Sequence, residues 1–473
     1  MMKKLAVFFL YLCIYIGSSA QQNMTLYQMH DIAQSNSLNP SVASDCRWNV
    51  GFPVLGNISI AAKTPLTYND LGRGKESIDG QKIASQLKNT NILSSNVSLN
   101  ILTLGYRAGD MYYQFTMNEK VFLRGSSSKI PVDLLMGNAP SAGKTYEINI
   151  ALSMAIYREY GLNVAYNFGD DLWLGARAKL LFGRVGAHSP NDIVSLYTDP
   201  LTQSMDLKSD LLMKASIPGT IVVDPGSGTI SKFNSQLGVK HFIFNPVNIG
   251  GAIDLGVNKF FENGWKFSAS ILNIGMINWR KHTHQFYQKS TLNYNMSSSG
   301  IIEWDDFVDT VKSVIKNSQY TGHEAFPQWL SPEIMIGASY PVMEYLRVGV
   351  TGYSAISSSG IPWAITATAL TDNTSHVYGA LSYTVTNNSF LNIGAGVGFR
   401  FGAFNIHAIT DNIMMLFKPA TQKYATVQLG INFKFGCGEE DKKLKYKSVP
   451  CPSFGHSSRK MTGSVPCSSG KRK

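Results

Sequence analysis

Apolar and polar side chains alternate along most of this chain, in segments separated by Gly, Asn, Asp and Pro. Because successive side chains of a strand point to opposite faces, this alternation predicts β-strands between an apolar and a polar environment. In the last segment, 426–435, one face carries Val427, Leu429, Ile431, Phe433 and Phe435, and the other carries Gln428, Gly430, Asn432 and Lys434. Such a pair of faces is typical of a strand between lipid and the lumen of a transmembrane barrel.

A soluble β-sandwich would also alternate, so the length and the ends of the segments decide between the two folds. Several segments, such as 145–168, are much longer than the roughly five or six residues of a soluble strand. Aromatic residues flank the apolar faces, as in the girdles of membrane barrels: Tyr160, Tyr166, Phe168 and Trp173. We therefore predict an all-β fold, an antiparallel transmembrane β-barrel.

The connections between segments are short and long in turn, which is typical of periplasmic turns and extracellular loops. Counting them predicts about 14 strands, within a range of 12–16, and both mature termini on the periplasmic side. Segments near 204–216 and 234–245 offer one further hairpin. A short helix is predicted over 304–317, in an extracellular loop, with Asp305 and Asp306 in its first turn. The predicted strands are 49–62, 96–108, 111–124, 145–168, 172–186, 249–261, 265–280, 331–341, 345–357, 361–371, 375–386, 388–401, 403–411 and 424–436.

The first 20 residues have the pattern of a secretory signal peptide. Lys3 and Lys4 precede the apolar run 5–16, and small residues at 18–20 precede Gln21, the predicted mature start. Residues 21–47 are polar and predict an N-terminal plug segment, followed by the barrel over 48–436. After the signal there is no apolar run long enough for a membrane helix, which excludes a helical membrane protein.

The net charge of +11 is concentrated at the two ends of the chain. Residues 437–473 hold nine Lys/Arg and three acids, and two more lysines leave with the signal, so the body is near neutral at about +3. A basic footprint for nucleic acid is therefore absent from the body, and no nucleic-acid partner is predicted. Residues 437–473 form a basic, cysteine-containing periplasmic tail.

The cysteines allow a disulfide, because an exported chain leaves the reducing cytoplasm. Four remain after cleavage: Cys46, Cys437, Cys451 and Cys467. Cys46 and Cys437 both lie near periplasmic ends of the barrel and are a possible pair. Contact of the basic tail with anionic headgroups or the cell wall, or an unstructured tail, are the other two interpretations. Lipidation at Cys13 is disfavoured, because Leu12 stands where lipoprotein sites have a small residue.

No motif predicts an enzyme, a cofactor or a metal. Residues 137–145 resemble a phosphate-binding loop, but with one residue too many between the glycines and with a strand following. The glycines of 394–398 lie on the lumen face of a strand and favour close approach of a plug backbone. His282, His284 and His323 share one loop, and solvated histidines explain them better than a metal site.

Basic side chains collect on the predicted lumen face, near the periplasmic strand ends. This basic collar comprises Lys266, Arg347, Arg400 and Lys434, with Arg177 and Lys179 pointing inward further up. It could hold acids of the plug, such as Asp31 or Asp45, select anionic solutes, or simply be solvated.

Several short motifs, in this order, resemble an uncharacterised family of Bacteroidetes outer-membrane proteins, a domain of unknown function. They are Gln34-Ser35-Asn36-Ser37-Leu38-Asn39-Pro40, Pro53, Tyr68-Asn69-Asp70-Leu71, Leu272-Asn273-Ile274-Gly275 with Trp279, Thr410-Asp411-Asn412 and Leu429-Gly430-Ile431-Asn432-Phe433. The first motif ends Asn-Pro-Ser, where the family has Asn-Pro-Ala, and the fourth departs from the family's Asp-Leu-Gly. The resemblance covers about 21–436, and the tail lies outside it.

The resemblance implies an N-terminal plug, whose motif residues here are Gln34, Ser35, Asn39 and Pro40, and it names no substrate. The family is similar in plan to barrels of the long-chain fatty-acid-transporter type and of the type IX secretion system. Two functions are therefore expected as candidates. One is passive transport or binding of a small hydrophobic solute in the outer membrane. The other is a scaffold for secreted or surface proteins.

Overall fold

The computed structural model describes residues 23–70, 83, 85–129, 143–169, 171–202, 205–224, 226, 230–235, 248–294, 319–356, 361–371, 376–386 and 392–437. Two short α-helices, α1 (Met24–Gln28) and α2 (Met414–Phe417), and two 3-10 helices, Ala33–Ser37 and Pro419–Thr421, accompany the strands. In this part of the chain, no helix has the length and apolar character needed to cross a membrane.

The first strands are β1 (Trp48–Gly51), β2 (Asn57–Lys63), β3 (Thr90–Ala108), β4 (Met111–Ser128), β5 (Thr145–Asn167), β6 (Leu172–Thr198), β7 (Met205–Ser216), β8 (Gly219–Val223), β9 (Ile230–Ser235), β10 (Asn248–Phe260) and β11 (Lys266–Trp279). The remaining strands are β12 (Thr283–Tyr294), β13 (Gln319–Gly322), β14 (Phe326–Trp329), β15 (Glu333–Met343), β16 (Leu346–Ala355), β17 (Trp363–Thr371), β18 (Val377–Thr386), β19 (Asn392–Phe401), β20 (Phe404–Thr410) and β21 (Tyr424–Phe435).

A closed ring of 16 antiparallel strand segments is the centre of the fold. The last strand, β21, pairs back with both β1 and β2, which also share β3 as their other neighbour. β14 and β15 likewise share β11. Pairing of β21 with β1 and β2 closes the ring, so it lacks the two open edges that a flat sheet would have. The predicted large antiparallel barrel is confirmed.

Three strands extend the sheet above the ring on one side. β6 pairs through its first half with β10 and through its second half with β7, which pairs in turn with β12, and β12 with β13. The predicted strand 172–186 therefore continues to Thr198, and the segment near 204–216 is a strand of this wall. Residues 236–247, which include most of the other half of that predicted hairpin, and the predicted helix 304–317 lie outside the described residues.

Alternation along the ring places apolar side chains outside and polar ones inside, as the sequence predicts. In β11, Phe267 and Ile271 are exposed on the outer face, while Lys266, Ser268 and Ser270 are buried inside. The apolar outer face would be unfavourable in water over so many strands, so it indicates an apolar surrounding.

Aromatic rings gather around the end of the barrel that carries the short turns. Trp265 lies 5.1 Å from Tyr340 and 5.8 Å from Phe267, measured between ring centroids. Phe433 and Phe435 stack at 6.3 Å on the last strand. Amphipathic and aromatic rings in such a rim are typical of a membrane–water boundary.

The segment 23–46 lies inside the ring, and its side chains supply much of the first apolar core. Met24, Leu26, Tyr27, Met29 and Ile32 pack there against inward-facing residues of β15 to β20. A second apolar cluster lies on the opposite side of the lumen around Trp279, with Tyr157, Leu181 and Ile277. The lumen is thus filled by protein over much of its cross-section.

Candidate functional site

The start of the N-terminal segment is held by a carboxylate of the barrel. Asp411, directly after β20, accepts hydrogen bonds from the backbone N–H groups of Met24 and Thr25 at 3.3 and 2.9 Å. Thr25 also bonds Ser382 at 2.7 Å, and Gln28 donates to Thr351 at 2.9 Å. Burial raises the pKa of Asp411 from its ordinary value. The carboxylate caps α1, whose first N–H groups have no partner within the helix.

The four residues of the predicted plug motif lie in the 3-10 helix and the turn after it. Gln34 donates to the carbonyl of Gly56 at 2.6 Å and exchanges hydrogen bonds with Asn432 at 2.7 and 3.0 Å. The Ser35 hydroxyl donates a hydrogen bond to the backbone carbonyl of Ile32 at 2.7 Å. The two remaining residues, Asn39 and Pro40, reach the opposite wall, where Asn39 donates to Val257 O at 3.2 Å and Pro40 O accepts from Asn163 at 3.2 Å.

Glycines let the wall approach this turn closely. A Cβ at Gly175 would collide with the backbone of Pro40, and one at Gly256 would lie 2.8 Å from Pro40 Cδ. On the other side, Gly394 and Gly396 leave room for Thr25 and Met29 of the segment. The glycines of 394–398 were expected to allow close approach of a plug backbone; at Gly394 and Gly396 the segment's nearest atoms belong instead to the side chains of Thr25 and Met29.

Gly175→Ala should therefore destabilise the protein by about 1–3 kcal/mol, because the added methyl displaces the Pro40 backbone or bends β6. Gly352→Ala is the matched control, since its Cβ would meet only Ile336 O at 3.9 Å. Thermal unfolding in detergent measures both, and we expect a change within about 0.5 kcal/mol for the control. Equal melting temperatures for the two variants would contradict a tight contact at Gly175.

The four residues of the basic collar surround residues 30–31 of the segment. Lys434 donates to the backbone carbonyl of Asp31 at 2.7 Å, and Arg400 approaches the Asp31 carboxylate at 3.7 Å. Lys266 contacts His30 Nδ1, and Arg347, which donates to Gly264 O at 3.5 Å, lies within electrostatic range of the same imidazole.

Burial lowers the pKa of His30 well below its ordinary value, and the charges of Lys266 and Arg347 lower it further. The imidazole is therefore neutral at physiological pH, so its Nδ1 can accept a hydrogen bond from the Lys266 ammonium. Asp31, one of the two acids that the sequence suggested as partners of the collar, contacts both Arg400 and Lys434.

A buried ionic cluster lies higher in the lumen, around Asp254 of β10. Asp254 is fully buried, with Lys179 at 2.7 Å and Arg177 at 3.4 Å. Arg177 also donates to the carbonyl of Asn36 at 2.8 Å, so the cluster binds the N-terminal segment. Both cations were predicted to point inward. Their partner is a residue that the sequence did not single out.

A bulge in β11 explains why a carboxylate is buried at this place. The register between β10 and β11 shifts between Ile253 and Leu255, and Asn273 has a positive φ of 62°. The bulge leaves the N–H of Asn273 without a ladder partner, and Asp254 accepts it at 2.7 Å. Lys179 donates to the Asn273 side chain at 2.8 Å. Bulges of this kind commonly redirect side chains beside functional sites.

A cavity of about 170 Å³ lies between the N-terminal segment and the wall formed by β2 to β6, β11 and β14 to β16. Its lining includes apolar side chains, such as Phe122, Leu330 and Tyr353. It also carries amides and charges, among them Lys120, Arg124, Glu159 and Glu333. Lys120 and Glu159 form an ion pair at 2.8 Å.

Sequence reasoning missed Lys120, Arg124, Glu159, Asp254 and Glu333. The alternation of polar and apolar residues could have placed most of them in the lumen, because they lie on the polar face of their strands. Which of them pair, and which remain unpaired at the cavity, depends on the register between strands far apart in sequence.

A disulfide joins Cys46, at the end of the N-terminal segment, to Cys437, just after β21. It spans 391 residues of sequence. Beside it, Arg47 N donates to Gly436 O at 3.4 Å, and Arg107 donates to Ser44 O at 3.3 Å. The lower end of the segment is thus attached to the last strand of the barrel.

The other motifs considered from the sequence form no site in the described residues. Within these, no group of three or more His, Cys, Asp or Glu could hold a metal ion. His284 and His323 lie with their rings 5.3 Å apart above the ring, and both bond backbone carbonyls. Most of the glycine-rich stretch 137–145 lies outside the described residues.

Fold and site together define a closed antiparallel β-barrel whose lumen holds its own N-terminal segment beside a small cavity. The chain belongs to a family of unknown function (DUF5723), whose model matches residues 40–411. The predicted membership of an uncharacterised barrel family is thereby confirmed. No curated protein matches the chain.

Several solved structures are similar to the chain at low sequence identity. The P. putida toluene transporter TodX covers 83% of this chain and 90% of its own length, at 8% identity and a TM-score of 0.34. A Pseudomonas aeruginosa FadL homologue covers 84% and 92%, at 8% identity and a TM-score of 0.38. The translocator domain of the autotransporter NalP from Neisseria meningitidis covers 82% and 88%, at 7% identity and a TM-score of 0.30. At such low identities and scores, these likenesses carry no argument about what this chain binds.

Proposed function

We propose that this protein is an outer-membrane barrel that binds a small, partly apolar solute in its lumen and lets it pass. The closed ring, the apolar outer face and the aromatic rim support a membrane location. In this proposal β1–β2 and β14–β15 are each one interrupted strand, which gives 14 strands and places both mature termini in the periplasm. The signal peptide 1–20 and the periplasmic tail 437–473 complete the arrangement.

In the same proposal the segment 23–46 is a plug. Its hydrogen bonds to Asp411, Asn432, Arg177 and Lys434 hold it at four points of the barrel wall. Such a plug would prevent free diffusion and leave a limited space beside it. The basic collar, on this view, holds the plug rather than selecting solutes.

The cavity of about 170 Å³ is the observation that carries the proposal. Cavities near 150 Å³ accept a ligand of about the size of benzene, so a molecule of single-ring size is expected here. Apolar and charged side chains both line the space, which suits a solute that is itself partly apolar and partly charged or polar.

Ser98→Phe tests the proposal, because Ser98 lines the cavity and a benzyl group at this position would occupy it. We expect native mass spectrometry of gently solubilised wild-type protein to detect a bound small molecule, and the variant to have lost it. Ala338→Phe, on the lipid-facing side of β15, should retain it. A bound molecule in the Ser98→Phe protein would contradict the proposed site.

The strands that rise above the ring favour a second candidate, a scaffold for secreted or surface proteins. β5, β6, β7 and β12 form a continuous wall there, which offers a surface to a partner. A stoichiometric protein recovered with the gently solubilised barrel, with no small molecule bound, would favour this function over transport.

A further inference from the structure

Three lumen-facing residues form a row across neighbouring strands, and the last of them, Arg124, lines the cavity. Lys63 of β2 pairs with Ser94 of β3, and Ser94 pairs with Arg124 of β4. Lys63 and Arg124 are each only 5% exposed. Neighbouring strands lie about 4.8 Å apart, so the two cations are held on either side of one serine, within electrostatic range of each other.

Neither cation of this row has an ion-pair partner within the described part of the chain. The only hydrogen bond that the Arg124 guanidinium donates there is a weak one to Ser331 Oγ at 3.5 Å, and its buried Nε has no partner. An unpaired buried guanidinium is costly, because it has lost hydration without gaining a carboxylate. The row therefore indicates a site for an anionic group, which a guanidinium can hold with two parallel hydrogen bonds.

Glu333 supplies the opposite charge on the same cavity. It accepts one hydrogen bond from Asn273 at 3.3 Å, and among the described residues no cation comes within ion-pair distance. It nevertheless lies within electrostatic range of Arg124. The other charges of the lining are already matched, since Lys120 pairs with Glu159 and Lys179 with Asp254. An unpaired cation and an unpaired anion thus face one small space without contacting each other.

We propose that this cavity binds a small zwitterion, a free α-amino acid with an apolar side chain. Arg124 takes the carboxylate, and the charge of Lys63, two strands away in the same row, favours the anion there. Glu333 takes the ammonium group, and the apolar lining at Phe122 and Leu330 takes the side chain. This inference rests on the proposed function and deepens it by naming the class of solute. The volume of about 170 Å³ suits a molecule with a single ring or a short branched chain.

Three probes separate the contributions of the two charged groups. L-phenylalanine carries both groups, 3-phenylpropionate lacks the ammonium group, and 2-phenylethylamine lacks the carboxylate. Calorimetric titration of the full barrel in nanodiscs should show L-phenylalanine binding at least about tenfold more tightly than either analogue, because each charged hydrogen bond adds affinity.

Two variants then assign the groups. Arg124→Gln should weaken L-phenylalanine and 3-phenylpropionate about 10- to 100-fold and leave 2-phenylethylamine unchanged. Glu333→Gln should weaken L-phenylalanine and 2-phenylethylamine and leave 3-phenylpropionate unchanged. Lys281→Gln, at an exposed position, should alter none of them. Melting temperatures of all variants show that the barrel is folded.

The outcomes distinguish this inference from the proposed function. If the three probes bound equally and neither Arg124→Gln nor Glu333→Gln changed their binding, the proposal of a zwitterionic ligand would be wrong. The cavity would then remain a site for small solutes, as in the proposed function. Preference for 3-phenylpropionate over L-phenylalanine would overturn the role of Glu333. Absence of binding by all three probes would overturn the inference, whereas the proposed function would stand if Ser98→Phe still removed a native bound molecule.

Discussion

Asp254→Ala should lower the free energy of unfolding by about 3–5 kcal/mol, a large effect for a single side chain. Asp254 is fully buried and neutralises Lys179 and Arg177, which would otherwise be two uncompensated cations inside the barrel. The substitution also removes the acceptor for the N–H of Asn273 at the bulge in β11. Urea unfolding of the barrel in lipid vesicles, followed by the gel mobility of folded protein, measures the change.

Lys179→Met should cost less than Asp254→Ala, because Arg177 would still accompany the carboxylate. The matched control is Asp210→Asn on β7, an exposed carboxylate that should change the stability by no more than about 0.5 kcal/mol. If Asp254→Ala were no more destabilising than this control, the cluster would not be holding the bulge and the N-terminal segment together.

The sequence predicted which basic side chains point into the lumen, because the alternation along a strand alone determines the face on which a side chain lies. Arg177 and Lys179 were placed in the lumen in this way, and so was the whole basic collar. The pairing with Asp254 could not be predicted, since it requires the register of β6 against β10 across a long intervening segment. The bulge adds a local shift in register that no periodicity reveals.

The extension of the sheet above the ring also could not be predicted from the sequence. Residues 187–248 have turn signals and polar runs, and were therefore interpreted as a loop with one optional hairpin. In the structure β6 continues to Thr198 because β5 and β7 flank it there and pair its backbone groups. Pairing of this kind is decided between strands, and composition within one strand does not show it.

Family motifs acquire a physical meaning once the fold is known. Asn273 is the left-handed residue of the bulge, and a Cβ at Gly275 would collide with the neighbouring strand β10. Trp279 is buried against Gly183 and Gly186 and donates to Gln328 at 2.8 Å. Asp411 caps the start of the N-terminal segment. The short motifs are far apart in the sequence, but these residues all serve to pack the interior of the same barrel.

The feature of the site that the sequence predicts least is that Arg124 and Glu333 have no ion-pair partner among the described residues. Arg124 is the last residue of the predicted strand 111–124, and nothing in the sequence singles it out. Its isolation from carboxylates depends on which strands meet around the cavity, as Ser94 and Ser331 rather than acids happen to lie beside it. A functional interpretation of this arginine therefore required the three-dimensional arrangement.

Cys46→Ser should free the lower end of the N-terminal segment and destabilise the protein by about 2–4 kcal/mol under oxidising conditions. The disulfide ties this segment to the end of β21, so its loss increases the conformational freedom of the unfolded chain and of the segment itself. Cys437→Ser should have the same effect, because either change removes the same bond. Unfolding with and without reductant measures the loss, and reductant should abolish the difference from wild type.

On the topology proposed above, the same substitution should expose the segment to protease added from the periplasmic side. In the variant, the hydrogen bonds from Arg107 to Ser44 O and from Lys434 to Asp31 O remain as non-covalent attachments. Cleavage should therefore begin near position 46 and proceed no further than the collar. Cys451→Ser, in the tail, is the matched control and should behave as wild type. Equal protection of the segment in Cys46→Ser and Cys451→Ser would mean that the hydrogen bonds alone hold the segment in place. The disulfide would then stabilise the protein only by restricting the unfolded chain.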